Sequence, residues 1–194
     1  MLSAAIVYPV AIVVAIVVGW RAATHGLAAW QVAARVVLVL YLGWLVSATL
    51  FPLPLGGHLT PAELGPAECR LDRYNAPNLV PLRAIRETAE LGWGWPAVRL
   101  LAGNVLVFAP FGVLLPAIFP GARRWWRTAL AGLALSASVE LSQLAVSLLL
   151  GYWYRMSDVD DVLLNVAGVL LGYGLFAAAR RVRAAPGRQR SVHE

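Results

Sequence analysis

The chain contains no lysine, so all 16 of its basic side chains are arginine, and against 10 acidic ones they leave a net charge of +6. Charge of either sign is scarce: 13% of the 194 residues are charged, about half the share of an ordinary soluble domain. One cysteine, Cys69, excludes an internal disulfide and reads as a loop thiol. Neither the H-E-x-x-H pair of a zinc protease nor the G-x-S-x-G elbow of a serine hydrolase occurs. His58 and His193 stand in loop and tail contexts and are not convincing ligands, so no metal and no cofactor is predicted.

What the chain has in quantity is apolar surface. Hydrophobic residues make up 60% and the mean hydropathy is +0.69, the composition of a membrane protein. A crossing takes about 20 residues, which predicts an all-α, polytopic transmembrane helix bundle of about five spans with one extracytoplasmic loop. The apolar runs are Leu2 to Trp20, about Arg35 to Phe51, roughly Pro96 to Phe119, Thr128 to Leu150, and Asp158 to just before Arg180. Residues 1–34 form the first span and its link, 35–180 the main membrane domain with its loop at 52–95, and 181–194 a basic tail. Within the loop two readings stand side by side: Pro81 opens a short helix on which Leu82, Ile85 and Ala89 share a face, followed by Trp93 and Trp95 at the headgroup boundary, or the segment is a solvated tether with incidental tryptophans.

The first cation, Arg21, follows the first apolar run, which reads as an uncleaved span with its N-terminus outside. Arg21, Arg35, Arg123, Arg124, Arg127, Arg180, Arg181, Arg183, Arg188 and Arg190 then fall inside, and Arg70, Arg73, Arg83, Arg86 and Arg155 outside. That asymmetry predicts a multi-pass cell-membrane protein with a cytoplasmic C-terminus. Arginines at the ends of apolar runs serve orientation and contact with membrane lipids, not nucleic acid.

Two stripes break the apolar pattern. In the fourth run Ser136, Glu140, Gln143 and Ser147 are spaced 4, 3 and 4 apart; in the fifth, Asp158, Asp161, Asn165, Gly168 and Gly172 fall at steps of 3, 4, 3 and 4. Each set lies on one helix face. Counted from the outer span ends at about 1.5 Å per residue, Asn104, Gln143 and Asn165 all lie roughly 9 to 12 Å deep, which predicts one shared amide cluster with Glu140 a turn deeper near the midplane. Amides and closely spaced glycines also serve as ordinary interhelical contacts, and an acidic helix start complements the helix dipole. A carboxylate at membrane depth costs about 2.5 kcal/mol or more, so Glu140 and the aspartates point to a site.

Four blocks in fixed order carry a further signal: N-L-V-P at Asn78 to Pro81, G-N-V-L-V-F-A-P-F-G at Gly103 to Gly112, S-V-E-L-S-Q at Ser138 to Gln143, and R-M-S-D-V-D-D-V-L-L-N-V-A-G at Arg155 to Gly168. With them the chain resembles the VanZ-like family of bacterial membrane proteins from about Arg35 to Arg180. The resemblance implies that Asn78, Pro81, Asn104, Pro110, Gly112, Glu140, Gln143, Arg155, Asp158, Asp160, Asp161, Asn165 and Gly168 are the family's polar and hinge positions. Leu82 stands where the family often has phenylalanine, and the first span is not a constant part of it. The family takes its name from a member that supports resistance to teicoplanin, a lipoglycopeptide, which implies a role at the outer face of the envelope.

The reading that follows is a polar cluster of Asn78, Asn104, Glu140, Gln143, Arg155, Asp158, Asp160, Asp161 and Asn165, with Pro110, Gly112, Gly168 and Gly172 at helix contacts. Its ligand is expected to be an outer-leaflet lipid, a lipid-linked cell-wall precursor or a lipoglycopeptide. The alternatives are an intramembrane enzyme using Glu140 or Asp161 on a lipid-linked substrate, and a small proton-coupled transporter. The sidedness is checked by reporter fusions: an alkaline phosphatase fused at Gly65 is expected to be active and one fused at Arg124 silent, and the reverse pattern would overturn the orientation.

Overall fold

The structure, a computed structural model, describes residues 4–51, 77–90, 94–150 and 157–184. A 3-10 turn at Ala4–Ile6 leads into six α-helices: α1 Val7–Thr24, α2 Ala29–Leu50, α3 Arg83–Glu90, α4 Trp95–Ile118, α5 Trp125–Leu150 and α6 Val159–Ala184. All except α3 carry a stretch long and apolar enough to cross a membrane, in α4 from Leu101 to Ile118. The fold is therefore an all-α, multi-pass membrane bundle. Among the described residues no strand occurs, only an isolated parallel bridge between Asn78 and Asp158.

Two boundaries differ from the sequence reading. The second helix begins at Ala29 instead of Arg35, and α6 continues through Arg180, Arg181 and Arg183 to Ala184. Arginine propagates a helix well, and its long stem keeps the guanidinium in water while the backbone stays helical. A tight turn joins α1 to α2: Gly26 has φ 69°, its N–H donates to Ala23, and the Leu27 N–H donates to Ala22. That left-handed glycine with paired back-bonds is the Schellman ending of a helix. The first helix then lies along α2 through buried Ala11, Ala15 and Ala22, and a side chain at Gly43 would run into Ala11. The other side of α1 exposes Val10, Ile12, Val13, Val14, Ile16 and Val17, a surface for lipid.

The core is made by Leu45 of α2, Phe108 and Phe111 of α4 and Val169 of α6. Pro110 sits inside α4 and removes one backbone donor from its ladder. The Tyr41 hydroxyl of α2 donates to the Val107 carbonyl in the turn before that proline, at 2.8 Å. Helices α4 and α6 meet almost backbone to backbone. A Cβ on Gly168 would strike the Val105 carbonyl, one on Gly172 the Ala109 carbonyl, and one on Gly112 the Val169 carbonyl. Without water to drive association, such close approach is how membrane helices gain packing energy.

The short helix α3 starts at Arg83, two residues after Pro81. Leu82 precedes it with φ 64° and so is not part of the helical face expected for it. Trp93 lies outside the described residues. The exposed surface of α3 carries Arg83 and Glu87 at 2.8 Å, and the bond to Glu87 raises the guanidinium pKa of Arg83 above its usual value. Exposed pairs of this kind contribute little to stability.

Gly168→Ala and Gly172→Ala are each expected to destabilise the bundle by about 1–3 kcal/mol or more. Gly174→Ala, where a Cβ meets nothing within 4 Å, is expected to be neutral or stabilising by up to about 1 kcal/mol. Denaturant unfolding in detergent checks the contrast.

Candidate functional site

The last helix begins well inside the bundle. Its N-cap, Asp158, sits against Glu140, whose carboxylate accepts the Asp158 N–H at 3.2 Å; ten residues of α5 still follow Glu140, about 15 Å at 1.5 Å per residue. A helix that starts in an apolar layer presents N–H groups that water cannot satisfy. Carboxylates on α6 and its neighbours meet that need. Asp158 Oδ1 accepts the Asp160 N–H at 2.8 Å, the usual bond from an N-cap to the second residue of its helix. The Ser157 hydroxyl donates to the Glu140 carbonyl at 3.1 Å.

The segment before α3 is strapped onto this helix start. The Asn78 N–H donates to the Ser157 carbonyl at 3.1 Å, and the Val159 N–H donates to the Asn78 carbonyl at 3.0 Å. The Asn78 side chain donates to Asp158 at 2.8 Å and accepts the Val80 N–H at 3.2 Å, an Asx turn of the kind that asparagine favours. Asp160, 1% exposed, accepts from the Leu82 N–H at 2.5 Å and from the Ile85 N–H at 3.3 Å. A residue 75 positions away thus caps α3, and these bonds hold Leu82 in a left-handed conformation that costs a non-glycine residue about 1–2 kcal/mol.

Asn104 of α4 donates to Asp161. One turn further in, Asn165 donates to the Ser136 hydroxyl at 2.9 Å; its own Oδ1 is buried and has no hydrogen-bond partner among the described residues, an acceptor whose desolvation costs about 1–3 kcal/mol. Gln143 donates to the Thr49 carbonyl of α2 at 3.0 Å.

The three amides therefore occupy staggered levels with separate partners, not one shared cluster, and Glu140 lies level with the start of α6, above Asn165. The depth count assumed that all spans end at one plane, and α6 does not. The two polar stripes do meet, at Asn165 with Ser136 and at Asp158 with Glu140. Pro110 is exposed on α4, and Gly112, Gly168 and Gly172 are buried at its contact with α6. Arg155 lies outside the described residues. Among the described residues no group of three or more histidine, cysteine or acidic side chains is arranged to hold a metal ion. Sequence reasoning missed Ser157, the backbone donors of Leu82 and Ile85, and the Thr49 carbonyl; only the run of acids at a helix start hinted at capping.

Residues 38–180 match the family model described as VanZ/LLP1. The chain belongs to the VanZ/LLP1 family. The match begins within α2 and takes in all of the polar site, while α1 precedes it. No curated protein and no solved structure matches the chain. A cavity of about 250 Å³ adjoins this VanZ/LLP1 site between α5 and α6; its walls are almost wholly apolar, with Leu79, Leu141, Leu144 and Val162 around it and Glu140, Ser157 and Asp158 at its edge.

Asp160→Ala is expected to release the strap, because hydrogen bonds to a charged acceptor contribute about 1.5–3 kcal/mol each. Amide hydrogen exchange at Leu82 and Ile85 should accelerate at least tenfold, with Asp160→Asn between the variant and the parent. Unchanged exchange at both amides would show that Asp160 does not hold the strap.

Proposed function

We propose that this VanZ/LLP1 protein works at the arginine-poor, outward end of the bundle and binds a lipid-linked ligand of the outer leaflet through the cavity beside Glu140. The observation that carries the reading is the cavity itself: about 250 Å³, walled by Leu79, Leu141, Leu144 and Val162, with two carboxylates and a serine at one side. Leu79 and Leu141 are 78% and 65% exposed, so the walls are continuous with the surface that lipid tails would cover. An acyl or polyprenyl chain suits such walls. Glu140, Ser157 and Asp158 turn their polar atoms to partners within the protein, so the recess takes hydrocarbon and the head group lies outside it, with Arg155 as the partner for its phosphate in this reading.

Binding is favoured over catalysis because Glu140, Asp158, Asp160 and Asp161 each already accept bonds from the protein's own backbone or amides. They shape a recess instead of standing free as a base. Teicoplanin-type resistance would follow from holding a lipid-linked cell-wall precursor, or the lipid of the antibiotic, at this place.

In nanodiscs, Val162→Trp is expected to fill the cavity and weaken binding of a polyprenyl-linked glycan at least tenfold, which is about 1.4 kcal/mol. Leu170→Trp, on the same helix away from the cavity, should bind as the parent does. Equal binding by parent and Val162→Trp would refute the proposal.

A further inference from the structure

The opposite end of the bundle holds a second cavity, of about 520 Å³, with Arg123, Arg180 and Arg183 around it and Trp30, Val113 and Phe176 among its walls. These come from α2, α4, α6 and the turn before α5, so three helices enclose the space. Arg180 and Arg183 are three residues apart and share a face of α6. Arg123 is held in place: its carbonyl accepts the Tyr173 hydroxyl at 2.6 Å, and its Nε donates to the Pro116 carbonyl at 3.4 Å. A guanidinium has five N–H donors, so most of those on Arg123 remain for a ligand.

Among the described residues no carboxylate offsets this charge. Among the described residues the acids are Glu87, Glu90, Glu140, Asp158, Asp160 and Asp161, all on the half of the molecule that carries α3 and the start of α6. The ion pairs formed among the described residues are Arg83 with Glu87 and Arg86 with Glu90, both on α3. Three arginines converging on an apolar crevice, with no acid among them, match an anion that carries hydrocarbon.

We infer that this crevice is a binding site for an anionic phospholipid of the leaflet at the arginine-rich end, its phosphate held by Arg123, Arg180 and Arg183 and its chains laid on Val113 and Phe176. A free phosphate would use the rim and leave the apolar walls empty. The site is independent of the outward cavity and its ligand.

Native mass spectrometry of the full chain, released from mixed nanodiscs containing phosphatidylglycerol and phosphatidylcholine of the same chains, tests the inference. The parent is expected to retain phosphatidylglycerol at least tenfold over phosphatidylcholine. Replacing Arg123, Arg180 and Arg183 together by glutamine should abolish that preference. The same replacement of Arg124, Arg127 and Arg181, which removes equal charge at the same end, should preserve it. Ala179→Trp, which narrows the crevice without removing charge, should also lower retention, and keeps the idea testable if the triple variant does not fold. Equal retention of both lipids by the parent, equal loss in the two triple variants, or displacement of the lipid by inorganic phosphate would overturn it.

Discussion

A helix that begins against its neighbours must satisfy its first N–H groups from them, and that constraint organises the start of α6, which lies beside Glu140 ten residues short of the end of α5. The donors there are answered by Asp158 on the helix itself and by Glu140 from α5. Asp158 also accepts the Asn78 side-chain amide, and Asp160 accepts the backbone N–H groups of Leu82 and Ile85 in a strap that would otherwise expose them. The acidic residues are thus structural acceptors first, and the recess beside them is a by-product of the way α6 starts below the end of α5.

Close packing of α4 on α6 makes this arrangement rigid enough to shape a cavity. Gly168 lies against Val105, and Gly172 against Ala109 and Gly112, so the two helices have little room to slide. Asn104 and Asp161 are joined on the same pair of helices, about two turns from Gly168 along α6. Register and polar pairing therefore support each other: a slip of α6 along α4 would separate the amide from its carboxylate and push glycine positions out of contact.

The five crossings were legible because hydropathy over twenty or so residues is a strong signal, and the facing stripes were legible from their helical spacing. Ser136 with Asn165 and Glu140 with Asp158 lie on those stripes and do come together. Depth was not legible. Counting inward from span ends placed Asn104, Gln143 and Asn165 together, but the recessed start of α6 offsets its residues from those of α5. The strap was not legible either, because it is held through backbone groups of Ser157, Val159, Leu82 and Ile85, which leave no mark in the sequence. Leu82 hides its left-handed turn especially well, since glycine or asparagine would normally announce one.

The bridge between Asn78 and Asp158 joins residues 80 positions apart. Everything between them, including α3, α4 and α5, belongs to one closed loop of chain pinned at the start of α6. The partners of the strap are residues 157–160, so the strap cannot close until the last span has entered the bundle. In a membrane protein whose helices insert one after another, the recess beside Glu140 is completed only when the final helix arrives, and a chain that stops short of it carries four spans but no such recess.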